Sequence, residues 1–217
     1  MARIIDLTQP ISPEMPVLPN YRSPEVSILA ATEGPPVPGR LRINSSRLAI
    51  GLHTGTHMDA PFHFIHDGRP IDQVPLEQCA GPALLLDLGE LPPRAPIGLE
   101  AFAPHAAALR ELKKVVLNTR WHRRWGAPGY FTEHPDIVPA AGEFLVGCGV
   151  HLIGVDFPSV DLPPHPTHVI LLGSGMVIVE NLTRLTEIGA ERFHLTAFPL
   201  PLAGRDGCPV RAVARVD

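Results

Sequence analysis

The apolar residues of this chain fall in short runs punctuated by proline and glycine. Residues 83–88 read as a buried strand, and residues 115–119 and 151–155 as further strands. Between them, residues 99–112 are rich in Ala and Leu and predict a helix. Residues 139–148 predict another, begun by Pro139 and ended near Gly149. This strand–helix–strand–helix–strand rhythm predicts an α/β fold with a mixed central sheet. Upstream, residues 1–40 read as an extended, proline-broken arm in which Ile4-Ile5 and residues 26–29 form short edge strands. Residues 42–50 alternate and predict a strand. Downstream, the apolar runs 169–172 and 176–179 flank a Gly173-Ser174-Gly175 turn. Residues 195–202 and 210–216 read as closing strands joined by a turn at Gly204-Arg205-Asp206-Gly207. No internal repeat or long linker divides the chain, so residues 1–217 are expected to form one domain.

Composition narrows the class. A chain of 217 residues can bury about 70% of its extended surface, so its core needs no disulfide or structural metal. Net charge is -4, which supplies no basic field for nucleic acid, and the run Arg120, His122, Arg123, Arg124 is short enough for a solvated turn. No apolar run approaches the roughly 20 residues of a membrane span. The N-terminus has no apolar segment followed by a small-residue cleavage site, and a cytoplasmic location is expected. Cys79, Cys148 and Cys208 lack paired spacing, which argues against a disulfide framework and a thiolate zinc site. The residue type that stands out is histidine: four of 11 lie between residues 53 and 66.

The segment from His53 to His63 reads H-T-G-T-H-M-D-A-P-F-H. His53, His57, Asp59 and His63 share one parity, and in extended chain such side chains share a face. Gly55 lets the backbone bend, and Pro61 opposes a helix through the segment. Imidazole nitrogens with a carboxylate suit Zn²⁺, and also Mn²⁺. Asp59 has two oxygens and can bridge two ions. Against this stands a loop of surface histidines. Downstream, His168 and Glu180 are candidate partners for a second ion, with His165 as the local competitor. By spacing alone Glu180 reads more readily as a surface charge ending the apolar run 176–179 than as a ligand. No G-x-S-x-G elbow and no phosphate-cradling Gly-Lys-Ser loop occurs.

These residues carry a resemblance. The pattern H-x-G-T-H-x-D-x-P-x-H is complete from His53 to His63. D-L-T-x-P-I begins at Asp6, G-V-D-F-P-S-V-D at Gly154, G-x-x-I-V-E-N-L at Gly175, and D-G-x-P-V-R-A-V at Asp206. Together they resemble the cyclase family of metal-dependent hydrolases, which contains bacterial kynurenine formamidases and isatin hydrolases. The resemblance implies a compact swivelling β/β/α-type domain assembled as a homodimer or homotetramer. It implies two divalent ions, Zn²⁺ or Mn²⁺: His53, His57 and Asp59 hold the first, and Asp59, His168 and Glu180 the second. His63 is then the proton shuttle rather than a ligand. The stretch from Asp161 to His168 is shorter than the resemblance leads one to expect, which places substrate choice in question more than the ligands.

The implied activity is hydrolysis of a small aryl formamide, with N-formyl-L-kynurenine giving L-kynurenine and formate, through a water whose pKa the metal lowers. Isatin-like cyclic amides are the alternative substrates. A metal-binding protein without turnover and a lyase using the ion as a Lewis acid are the readings from other classes. Phe64, Trp121 and Trp125 are candidates for substrate contact or for packing, and Ser159 for orienting a ligand or capping a turn.

Overall fold

The computed structural model describes residues 2–33 and 42–216. Part of the expected N-terminal arm, residues 34–40, therefore lies outside the described residues. From the N-terminus come β1 (Arg3–Asp6), the hairpin strands β2 (Glu25–Ala30) and β3 (Ser45–Ala49), and β4 (His57–Asp59). A 3-10 turn at Pro61–His63 and the short helix α1 (Leu76–Cys79) lead into β5 (Ala80–Asp87). Then follow β6 (Pro96–Ile97), α2 (Ala106–Leu112), β7 (Lys114–Asn118), β8 (Asp136–Ile137), α3 (Pro139–Gly147), β9 (Leu152–Val155), α4 (Pro166–Gly173) and β10 (Val177–Glu180). The last strands are β11 (Arg192–Phe198), β12 (Gly207–Pro209) and β13 (Arg211–Val216).

Nine strands form one sheet in the order β1-β13-β11-β5-β7-β9-β10-β4-β12. The central run from β5 to β10 is parallel, and the pairs on both flanks are antiparallel. The expected α/β fold with a mixed sheet is the observed one, and it matches the swivelling β/β/α type. The central strands are apolar at successive positions because both faces are covered. Along β5, Leu84 and Leu86 face a core shared with Leu109 of α2, Leu145 of α3 and Leu171 of α4. Ala83 and Leu85 face the other way, into a second core. That core contains Ile5 from β1 and Cys208 from β12, the two edge strands. Residues from opposite edges meet only if the sheet curls around them.

Two sequence expectations are corrected. Residues 99–112 are not one helix: 3-10 turns at Leu99–Ala101 and Ala103–His105 precede α2. Pro104 lacks the N–H that a continuous helix needs there and obstructs the preceding turn. The two closing strands are not joined by a simple turn, because β12 lies between them and pairs with β4. All three cysteines are free, as their spacing implied, and they are buried. Among the described residues no helix is long and apolar enough to cross a membrane.

The arm is fastened next to the motif by Thr56. Its buried hydroxyl accepts the Gln9 N–H at 2.8 Å and donates to the Asn181 carbonyl at 2.7 Å. Thr56→Val keeps the shape but leaves a buried donor and acceptor unpaired. It should lower stability by about 1–3 kcal/mol in urea denaturation. An unchanged midpoint would show that Thr56 does not hold the arm.

Candidate metal centre

The histidine motif is not a surface loop. Gly55, at φ +68, turns the chain so that His57, Met58 and Asp59 form β4, buried throughout. This short strand is inserted between β10 and β12, with Glu180 opposite His57 and Gly207 opposite Asp59. Helix α4 brings His168 to the same place. His53, in the preceding turn, puts Nδ1 2.6 Å from Asp59 Oδ1. His57 Nε2 is 3.3 Å from Asp59 Oδ1 and 3.4 Å from Glu180 Oε2. His168 Nε2 is 3.4 Å from Glu180 Oε1 and 3.8 Å from Asp59 Oδ2. The structure thus gathers all five candidate ligands, in two triads that share Asp59.

The far nitrogens of the rings are already engaged. His57 Nδ1 donates to the Gly55 carbonyl at 2.9 Å, and His168 Nδ1 to Asp161 Oδ1 at 2.6 Å. Asp161 is itself held by the backbone N–H groups of Thr167 and His168. With Nδ1 so used, each Nε2 faces the carboxylates as the atom that takes a proton or a metal ion. His53 Nε2 donates to Asp206 Oδ2 at 2.6 Å, which turns Nδ1 toward Asp59.

Burial works against every charge here. It would raise the Asp59 carboxyl, but the imidazoles of His53 and His57 outweigh it and hold that group well below the usual range. Burial, and then the Asp59 charge, push Glu180 upward. Burial also opposes a charged His53, yet the Asp59 and Asp206 carboxylates raise it to about 9. One atom is left over: Asp59 Oδ2 is buried and accepts no hydrogen bond from a described residue. An uncompensated carboxylate oxygen in such a place is costly. Three imidazoles, two carboxylates and no thiolate form a nitrogen–oxygen donor set, and it fits a divalent ion of the Zn²⁺ or Mn²⁺ kind.

His63 lies beside this centre on the 3-10 turn. It stacks on His53 with centroids 3.8 Å apart, and Nδ1 lies 3.7 Å from Asp206 Oδ2. Burial lowers it to about 4, so it is neutral at ordinary pH. Phe64 stacks on His168 and meets His63 edge-on, holding both rings. A cavity of about 510 Å³ opens above these groups. The segment from Pro158 to His165 borders it, and so does Phe64. The two tryptophans do not. Trp121 is buried and donates to the Tyr130 carbonyl, and Trp125 packs on Tyr130 and Phe131. Ser159 donates to the Asp161 carbonyl, which closes a turn. His165 is turned to Asp161 rather than to the carboxylate pair. Asp161, Asp206, Tyr21 and Arg94 were not foreseen as part of the site. Asp161 and Asp206 lie in quoted motifs, but nothing in their spacing shows which histidine they meet.

The family model described as "Putative cyclase" matches residues 5–162. The chain belongs to the cyclase family. It is 34% identical to the kynurenine formamidase of Bacillus thuringiensis (strain Al Hakam) over 220 residues, covering 97% of this chain and 96% of the relative. Among solved structures, isatin hydrolase A from Labrenzia aggregata, bound to benzyl benzoate, matches with a TM-score of 0.86 at 26% identity. That match covers 99% of the cyclase and 94% of the hydrolase. Isatin hydrolase A from Ralstonia solanacearum shares the fold, with a TM-score of 0.84 at 24% identity over 100% of this chain and 92% of its own.

Two measurements probe this centre. A Cβ on Gly207 would stand 2.6 Å from His53 Cε1 and 2.9 Å from the Met58 carbonyl. Gly207→Ala should therefore keep the far-ultraviolet circular dichroism spectrum and lose bound metal in elemental analysis. Full metal content in a folded variant would show that His53 is not held against β12. The second measurement concerns His134, which is 1% exposed, donates Nδ1 to the Pro135 carbonyl and is lowered to about 4, chiefly by burial. Its ordinary value is 6.5. Between those values the unfolded chain binds the extra proton and the folded one does not. Stability therefore rises with pH across that window and is lost as pH falls from about 6.5 to 4, by roughly 3 kcal/mol at most. His134→Gln should show a smaller fall in urea midpoint over the same window, and equal slopes would sink the assignment.

Proposed function

We propose that this cyclase is a metal-dependent hydrolase acting on the C–N bond of a small aryl formamide or cyclic aryl amide. N-formyl-L-kynurenine, split to L-kynurenine and formate, is the first substrate to consider. The observation that carries the reading is the shared Asp59 between two ligand triads, with the neutral His63 alongside. The extent of the match to the Bacillus formamidase supports it. His53, His57 and Asp59 would hold one divalent ion, and Asp59, His168 and Glu180 a second. When bound, such ions lower the pKa of water and draw negative charge from a carbonyl oxygen.

The protein's own groups do the rest. Asp206 on the Nδ1 side of His63 favours the proton on that nitrogen, which leaves Nε2 to take one. His63 accepts the proton lost by water and returns it to the departing nitrogen. An arylamine leaves more readily than an alkylamine, which suits anilides and strained aryl lactams. Phe64 keeps the His63 ring in place, and the apolar side chains of Leu18, Phe131 and Leu162 limit water around the reacting bond. Isatin-like cyclic amides form a second reading, favoured by the likeness to the Labrenzia enzyme. Assembly as a dimer or tetramer belongs to this proposal as well.

The test is turnover by zinc- or manganese-loaded protein on N-formylkynurenine, isatin and formanilide. At least one should be hydrolysed, with activity abolished by a chelator and restored by metal. His63→Ala should keep its metal and lose roughly 10²-fold or more in rate. Asp59→Asn should empty at least one metal site. Loaded wild-type protein that is inert to all three substrates would refute the hydrolase reading, and a His63→Ala loss no larger than its loss of folded protein would make His63 structural.

A further inference from the structure

The cavity wall carries a group that the reaction at its floor does not use. Among the described residues lining the cavity, Arg94 is the one permanent cation. The floor is acidic, with Asp59, Glu180 and nearby Asp206, while Val17, Leu18, Phe131 and Leu162 make much of the wall apolar. A guanidinium in such a wall stands apart from its surroundings in charge and in hydrogen-bonding capacity.

Its placement is fixed by the backbone. Arg94 follows Pro92-Pro93 and has φ 56, a left-handed conformation that a residue with a Cβ adopts at a cost. Two hydrogen bonds hold that conformation. The Arg94 N–H donates to the Glu133 carbonyl at 2.8 Å, and the Asp136 N–H donates to the Ala95 carbonyl at 3.1 Å. The parallel pair of β6 and β8 follows directly. The backbone at its base is thus held, while the residue is exposed and its side chain forms no hydrogen bond or ion pair with a described residue. Asp136 acts on it only across space. Arg120, Arg184, Arg192 and Arg211, by contrast, each form an ion pair with a carboxylate.

We infer that Arg94 is a specificity-determining residue that receives a carboxylate on the substrate, away from the bond that is cut. The class of substrate is then an aryl amide bearing an acidic arm. The aromatic ring packs on the apolar wall, the amide reaches the acidic floor, and the arm extends to the guanidinium. A carboxylate matches the planar fork of arginine with two parallel hydrogen bonds, a geometry that lysine does not reproduce. This inference rests on the hydrolase reading for which bond is cut, but not for whether the arm is bound.

The test uses a matched pair, N-formylkynurenine and its carboxamide, which share the scissile bond and differ in one charge. Metal-loaded wild-type protein should show the lower KM for the acid. Arg94→Gln should raise KM for the acid by roughly tenfold or more, change the carboxamide KM far less, and so remove the preference. Arg94→Lys should restore part of it. Calorimetric titration of L-kynurenine and its carboxamide into the same proteins reads the contact without turnover, and the acid should lose affinity in Arg94→Gln by a similar factor. An acid-to-carboxamide ratio that Arg94→Gln leaves unchanged, in KM and in affinity, would overturn the inference. If no formamide is hydrolysed by the loaded wild type, the hydrolase reading fails and the titration still decides the role of Arg94.

Discussion

Asp59 and Glu180 are both buried, and the same two imidazoles, His57 and His168, lie within 3.8 Å of both carboxyl groups. Two carboxylates so close in a region that excludes water cannot both remain ionised without nearby positive charge. His53, His57 and His168 surround Asp59, and Asp59 Oδ2 has no donor among the described residues. The surrounding structure follows from this arrangement. β4 is only three residues long, yet it is paired on both edges, which keeps its side chains from moving apart. The curled sheet supplies those edges by placing β10 on one side of β4 and β12 on the other.

The support for the ligands extends well beyond them. The Gly55 carbonyl accepts from His57 and also from Asn181 Nδ2 at 2.9 Å, while Asn181 Oδ1 accepts from the buried Tyr130 hydroxyl at 2.8 Å. Asn181 follows Glu180 directly and has φ 58, so its backbone turns at the point where a ligand strand ends. Thr56 ties that same residue's carbonyl to the N-terminal arm. One chain of hydrogen bonds therefore links the arm, both halves of the motif and the end of β10. Its members are buried and paired, which is the condition under which a polar network stiffens a site rather than weakening it.

What could be read from the sequence follows the distance over which each signal acts. His57 and Asp59 share β4 as strand parity predicts, but His53 and His63 stand in turns on either side of it, so closeness along the chain and the bend at Gly55, rather than a common extended face, bring His53 to them. The central strands were legible because burial on both faces leaves an apolar run that needs no partner to be recognised. His168 and Glu180 were only candidates by spacing, and the resemblance supplied their roles. Asp206 meets His53 across 153 positions, a pairing that exists only once β12 has entered the sheet beside β4. A three-residue strand containing Gly207 and Pro209 has no hydrophobic periodicity by which to announce itself. The broken helix at residues 99–112 was misread because its Ala and Leu content dominated a single proline.

The same distinction separates activation from recognition. The groups that would bind metal and move the proton stand on β4, on the turns before and after it, on β10 and on α4. The groups that meet the remainder of a substrate come from elsewhere: Val17, Leu18 and Tyr21 from the arm, Arg94 before β6, Phe131 before β8, and the segment 158–165. These are mostly loop positions, where side chains can differ without disturbing the sheet. A motif confined to the floor specifies the bond to be polarised and is silent about what is attached to it. For this chain the attached group is read from the wall, and there the guanidinium of Arg94, paired with no described residue and carried on a backbone held by Glu133 and Asp136, is the feature that distinguishes an acidic arm from a neutral one.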